Sequence, residues 1–196
     1  MIQITDKHNC CGCTACAQIC PRQCITLKAD DEGFMYPEAD KEMCVDCGLC
    51  ERACPLIHPA EPIKWSEVLA AKNRNNDERL GSSSGGIFIA LARKVIESGG
   101  VVFGAVFDRQ WNVVHTYSET LEGVKPMMCS KYVQSGINGT YAVAERFLKT
   151  GRTVLFSGTP CQIAGLNGYL RKDYPDLIKV ISCAMASQVR VCGRNI

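Results

Sequence analysis

The sequence predicts an α+β protein in two parts. A small cysteine-rich domain over residues 1–58 is followed, after a connector at 59–80, by an α/β layer with a mixed sheet over 81–183. Three observations carry this expectation. Ten of the 14 cysteines fall before residue 55, in tight clusters. Their spacing recurs at a constant offset along the chain. Beyond residue 81, four-residue apolar spacing alternates with unbroken apolar runs, which is how helices and buried strands follow one another in a layered fold.

The cysteine pattern comes first in the chain. Cys10-x-x-Cys13-x-x-Cys16-x-x-x-Cys20-Pro21 is repeated as Cys44-x-x-Cys47-x-x-Cys50-x-x-x-Cys54-Pro55, with every matched position 34 residues further on (10 to 44, 20 to 54). This is an internal duplication. Each copy fits the bacterial ferredoxin run, in which three close cysteines hold one 4Fe–4S cluster and the fourth reaches across to the other. Cys10, Cys13, Cys16 and Cys54 are therefore assigned to one cluster, and Cys44, Cys47, Cys50 and Cys20 to the second. Soft thiolates suit iron–sulfur chemistry. Ile25–Leu27 and Phe34–Tyr36 are candidate strands about a turn at Asp30–Gly33. Structural zinc is the competing reading, but zinc takes separated Cys pairs, and two complete Cys-Pro motifs in tandem fit that poorly. Cys11 and Cys24 fall outside the pattern. They are expected to be a bystander and a small buried apolar residue, respectively.

Composition narrows the function classes. The net charge is +2, so nothing marks a nucleic-acid surface. No apolar run reaches the length of a membrane span. The N-terminus has neither the basic nor the apolar region of a secretory signal. Clustered cysteines without such a signal point to metal ligands in a reducing cytoplasm, and to an organism that lives at low oxygen.

In the second part, Ile87, Leu91 and Val95 are spaced as on a helix that stops at Gly99-Gly100. Val101–Phe107 reads as a buried strand and Trp111–Tyr117 as its antiparallel partner. Helix Tyr141–Leu148, strand Thr153–Phe156, helix Pro160–Leu170 and strand Leu177–Ser182 follow. Two stretches carry chemistry. Ser82-Ser-Ser-Gly-Gly86 lies before a helix, where a serine cap and open backbone amides favour an anion. Ser157-Gly-Thr-Pro-Cys161-Gln162 leaves a strand and opens a helix. Thr159 is its cap and Pro160 its first residue, which puts the Cys161 thiol at the positive end of the helix.

Taken in order, the tandem motifs, Ser-Ser-Ser-Gly-Gly86-Ile-Phe, Gly-Gly100-Val-Val-Phe-Gly-Ala-Val-Phe-Asp108, Ser130-Lys-Tyr-Val-Gln-Ser135 and Leu155-Phe-Ser-Gly-Thr-Pro-Cys-Gln162-Ile-Ala-Gly165 resemble the coenzyme F420 hydrogenase/dehydrogenase beta-subunit family. The resemblance covers residues 1 to about 182. It implies an iron–sulfur flavoprotein oxidoreductase that works with a redox partner protein or other oxidoreductase subunits. In such a protein FAD passes electrons between clusters and a hydride carrier, splitting hydrides into single electrons. By position, Ser83, Ser84, Gly85 and Gly86 would lie by the flavin, with Ser130, Lys131, Tyr132 and Gln134. Cys161 would be a ligand or near neighbour of a cluster in the flavin domain. Met127-Met-Cys129 departs from the family pattern, and Cys129 reads as a core residue. The family's next motif, Cys-His-Gly-Val-Pro-Ser-Pro, is replaced after Cys183 by Ala-Met-Ala-Ser-Gln-Val-Arg-Val-Cys192. Residues 184–193 can be encoded as GCC-ATG-GCG-TCC-CAA-GTC-CGG-GTG-TGT-GGG, and from its third base that choice of codons reads His-Gly-Val-Pro-Ser-Pro-Gly-Val-Trp. A frameshift near Cys183 is therefore expected, which leaves 184–196 as an out-of-frame tail and the flavin domain incomplete. The alternative function is a ferredoxin-type carrier with an inactive second domain.

Overall fold

The computed structural model describes residues 1–61, 69–172, 174 and 176–182. The expected frameshifted tail lies outside them. By packing, the chain divides into two units. One joins residues 1–60 with 159–172, and the other joins 61–158 with 174–181 as far as these are described.

The first unit opens with a 3-10 turn, Lys7–Asn9, capped by the Asp6 carboxylate, which accepts from the His8 amide at 2.9 Å. Helix α1 (Ala15–Ile19) follows the first three cysteines. Strands β1 (Ile25–Ala29) and β2 (Met35–Ala39) form an antiparallel hairpin with Ile25 opposite Ala39 and Ala29 opposite Met35. Asp30 closes its turn by accepting from the Glu32 and Phe34 amides at 3.1 and 2.9 Å. Helix α2 (Leu49–Arg52) stands in the second motif where α1 stands in the first. The core of this unit is cysteine-rich, with Ile2 and Ile25 packed among Cys16, Cys24, Cys50 and Cys54. So few aliphatic side chains stabilise a domain of this size poorly. Bound clusters would add folding energy to it directly.

In the second unit the connector holds a short helix, α3 (Asn76–Leu80), which the polar composition had hidden. Asn75 caps it, accepting from the Asp77 and Glu78 amides at 3.0 and 3.2 Å. Helix α4 (Ile87–Glu97) comes next, and its cap is Gly86 at φ +69° rather than a serine. It buries Ile89, Ala92 and Val95, whereas Ile87 and Leu91 are exposed. The i, i+4 row drifts around a 3.6-residue helix, so two members of the expected stripe turn away from the sheet. Gly99, at φ +76°, ends the helix in the left-handed conformation that suits glycine.

Strands β3 (Val101–Phe107) and β4 (Val113–Ser118) are antiparallel. Trp111 lies outside β4, in the turn, at φ +63° and exposed. Helices α5 (Leu121–Val124) and α6 (Thr140–Lys149) and strand β5 (Val154–Gly158) precede α7 (Pro160–Leu170) and β6 (Ile178–Ser182). The described strands run β4-β3-β5-β6, with β3 parallel to β5 and Phe103 opposite Phe156. This is the mixed sheet the sequence predicts. Alternation decides the two faces. Val102 and Leu155 pack under α4 with Val124 and Met127. Phe103 and Phe156 stack at 5.3 Å on the other face, where Phe147 and Tyr141 of α6 meet them at 6.3 and 5.9 Å.

Candidate cluster-binding site

The two motif loops share one backbone trace. In the first, Gly12 and Thr14 take φ +63° and +65°. In the second, Asp46 and Gly48, 34 positions on, take +48° and +71°. The left-handed positions survive although glycine sits at different places in the two copies. This reversal turns amides back onto sulfur. The Gly12 N–H donates to Cys10 Sγ at 3.5 Å, and the Asp46 N–H donates to Cys44 Sγ at 3.4 Å. The Ile2 N–H donates to Cys50 Sγ at 3.3 Å. Such donors favour the charged thiolate.

Two hollows lie in this unit. Cys10, Cys13, Cys16 and Cys54 line one. Cys20, Cys44, Cys47 and Cys50 line the other. Three close cysteines from one copy thus meet the fourth from the other copy at each hollow. Among the described residues no three His, Cys, Asp or Glu side chains close on a single metal ion. Four thiols lining each hollow are the donor set a cubane takes, one at each iron corner. Burial pushes the Cys16 thiol up to about 12 and also raises Cys10, so cluster assembly must displace their protons.

The two cysteines outside the pattern are also here. Cys11 is buried at the first hollow and Cys24 at the second, its Sγ 3.4 Å from that of Cys20. Cys24 is buried as expected, and Cys11 is buried as well. Cys161 is brought to the same place: helix α7 packs in the first unit against α1, and the Cys161 and Cys11 thiols hydrogen-bond to each other. The start of α7 forms as expected, with Pro160 first and the Gln162 Oε1 accepting from the Thr159 N–H at 2.9 Å.

The residues expected by the flavin lie in the second unit, on two adjoining loops. Ser83 Oγ accepts from the Ser130 N–H at 2.7 Å, and Cys129 Sγ donates to the Gly81 carbonyl at 3.6 Å. Cys129 is exposed, not core, because its neighbours Met127 and Met128 fill the interior instead. Ser84 and Tyr132 are exposed, and Gln134 is half-buried. Lys131 donates to the Pro126 carbonyl, and desolvation lowers its pKa. Asn73 fastens the first loop, its N–H meeting the Gly85 carbonyl at 2.7 Å and its side chain the Gly86 carbonyl at 3.2 Å. Buried His115 fastens the second. Its Nε2 donates to the Ser157 carbonyl at 2.8 Å, so its Nδ1 accepts from Ser135 Oγ at 2.7 Å. Asn73 and His115 carry no motif, and only their contacts reveal them.

Residues 9–56 match the 4Fe–4S dicluster domain. An F(420)H(2) dehydrogenase subunit of Methanosarcina mazei is 24% identical over 172 residues, covering 82% of this chain and 48% of that protein. An NADH-quinone oxidoreductase subunit of Geobacter metallireducens is 40% identical over 56 residues, 26% of this chain and 43% of its own. The chain thus spans about half the length, or less, of these two relatives. An uncharacterized ferredoxin of Methanocaldococcus jannaschii is 34% identical over 68 residues, 33% of this chain but 87% of its own. Among the described residues no helix is long and apolar enough to cross a membrane. Through its N-terminal repeat, the chain belongs to the ferredoxins that carry the 4Fe–4S dicluster domain.

Proposed function

We propose that this chain is an electron-transfer protein holding two 4Fe–4S clusters, the first on Cys10, Cys13, Cys16 and Cys54 and the second on Cys20, Cys44, Cys47 and Cys50. The observation that carries the reading is the crossed arrangement of the two hollows, each lined by three cysteines of one motif and one of the other. A bound cluster supplies one-electron chemistry. The chain's own part is to hold the sulfurs apart, exclude bulk water from the buried ones and aim the Gly12, Asp46 and Ile2 amides at them. Cys161 is a neighbour of the first cluster. Anaerobic reconstitution is expected to load about eight irons with matching sulfide. Cys47→Ser is expected to cost one cluster and spare the other. Zinc in place of iron and sulfide would overturn the assignment.

The finer reading is an oxidoreductase subunit that passes these electrons to a flavin or hydride carrier of the coenzyme F420 type. Residues 83–86 and 130–134 would hold the FAD. Its support is the contact between these two loops through Ser83 and Ser130, together with the partial likeness to a subunit of an F(420)H(2) dehydrogenase. A Cβ at Gly85 would stand 2.7 Å from the Ala71 carbonyl oxygen, so a bulky residue there displaces the loop. On this reading the 196-residue chain takes up FAD poorly. A chain continued in the alternative frame after Cys183 takes it up well, and Gly85→Val weakens uptake while leaving the iron content intact. If the continued chain is made with full clusters and binds no FAD from excess, the ferredoxin-type carrier is the correct reading.

A further inference from the structure

The four-ligand assignment leaves one thiol over at the second hollow. Cys24 is 5% exposed and lines that hollow beside Cys20, Cys44, Cys47 and Cys50. Its sulfur is 3.4 Å from Cys20 Sγ. The turn that joins the two is tight. Gln23 takes φ +52°, and its N–H returns to the Cys20 carbonyl at 3.1 Å. The duplication sharpens the point. The position matching Cys24, 34 residues on, is His58, which is exposed. The turn after the fourth cysteine therefore carries a second thiol in the first copy and none at that place in the second.

We propose that Cys24 is a resolving thiol for Cys20. Where the second cluster is absent and both sulfurs stand as thiols, hydrogen peroxide or a related two-electron oxidant drives them to close a disulfide that keeps Cys20 recoverable. This rests on the assignment of Cys20 to the second cluster. Cys20 is the more exposed of the pair, so the oxidant meets it first. The peroxide O–O bond breaks, the Cys20 sulfur takes the hydroxyl, and the first water leaves with the thiol proton. The Cys24 sulfur then attacks the sulfenic sulfur, the S–S bond forms, and hydroxide leaves with the Cys24 proton as the second water. In total, two thiols and one peroxide give one disulfide and two waters, with two electrons passing to the peroxide. The sulfurs must approach by only about 1.4 Å to reach bonding distance, within reach of side-chain rotation. A dithiol reductant reverses the bond by exchange. Without Cys24, the sulfenic acid proceeds to sulfinic acid, which a thiol cannot reduce.

The sequence makes the test direct. Cleavage after Lys7, Arg22, Lys28, Lys41 and Arg52 isolates Cys24 in peptide 23–28, apart from the Cys20 peptide 8–22 and the second-motif peptide 42–52. The full reconstituted chain is treated with an excess of hydrogen peroxide, alkylated and digested without reductant. Peptide 23–28 is expected to be linked to 8–22, to be released by dithiothreitol, and to be unlinked in Cys20→Ser. After dithiothreitol, iron and sulfide, the parent chain is expected to return to about eight irons. Cys24→Ser is expected to return to about four, with sulfinic acid at Cys20. An unlinked 23–28, its linkage to 42–52, or full recovery of Cys24→Ser would each overturn the proposal. If an unoxidised chain carrying both Cys20→Ser and Cys24→Ser already retains both clusters, the ligand assignment itself is what fails.

Discussion

At the scale of single residues, the structure gives weight to side chains with no motif around them. His115 is the clearest. It is buried, stacks on Phe156 at 5.4 Å, and ties Ser135 to the Ser157 carbonyl. Burial lowers its pKa from 6.5, so the folded chain holds it neutral while the unfolded chain protonates it below that value. The unfolded state then binds more protons, and stability is expected to fall as pH drops below about 6.5. Chemical denaturation of the second unit at pH 5.5 and 7.5 measures this, and His115→Leu is expected to remove the dependence. The same substitution strands the Ser157 carbonyl and should cost about 1–3 kcal/mol at neutral pH. An unchanged midpoint would mean that water replaces the imidazole at no cost.

At the scale of elements, helix α7 is the instructive case. Its start is legible in the chain, since Thr-Pro before an apolar run is a helix entry. Its place is not legible, because α7 is apolar on more than one side and either unit would accept such a helix. A side chain at Gly168 would overlap the Ala53 carbonyl oxygen, beside Cys54, so only a residue without one lets α7 rest this close. Gly168→Ala is therefore expected to lift α7 from the segment that presents Cys54. Instability of about 1–3 kcal/mol is expected, with iron lost first from the first cluster. Iron release to a chelator, compared between this variant and Gly151→Ala, which strains a left-handed position at φ +78° without meeting any neighbour, separates the α7 contact from general destabilisation.

At the scale of the whole molecule, the cysteine-rich part is not sequence-local. Residues 1–60 pack with a helix drawn from about 100 residues further along. A fragment ending at residue 60 is expected to bind clusters, because all eight motif cysteines lie within it. It is also expected to lose them sooner than the full chain, because the surface under Ile163 and Leu166 is bared. The half-life of cluster absorbance in air measures the difference. Equal half-lives would show that α7 adds nothing to the first unit.

The sequence by itself determined the duplication, the two groups of four cysteines, the β1–β2 hairpin and the order of the longer helices and the strands in the second part, but not the short helices α3 and α5. Each of these is written in local spacing, which a short stretch of chain carries alone. The mixed sheet was legible for the same reason: unbroken apolar runs such as Val101–Val106 suit only strands covered on both faces. Other features depended on contacts between residues far apart in the chain. Tertiary structure alone put Cys11 and Cys24 at the hollows, joined Ser83 to Ser130, and placed His115 behind Ser135. It also turned Ile87 and Leu91 outward and Cys129 to the surface. Burial and approach distances depend on which elements meet. A thiol's neighbours are fixed only when loops 34 residues apart in the chain, and a helix far beyond them, close on the same space.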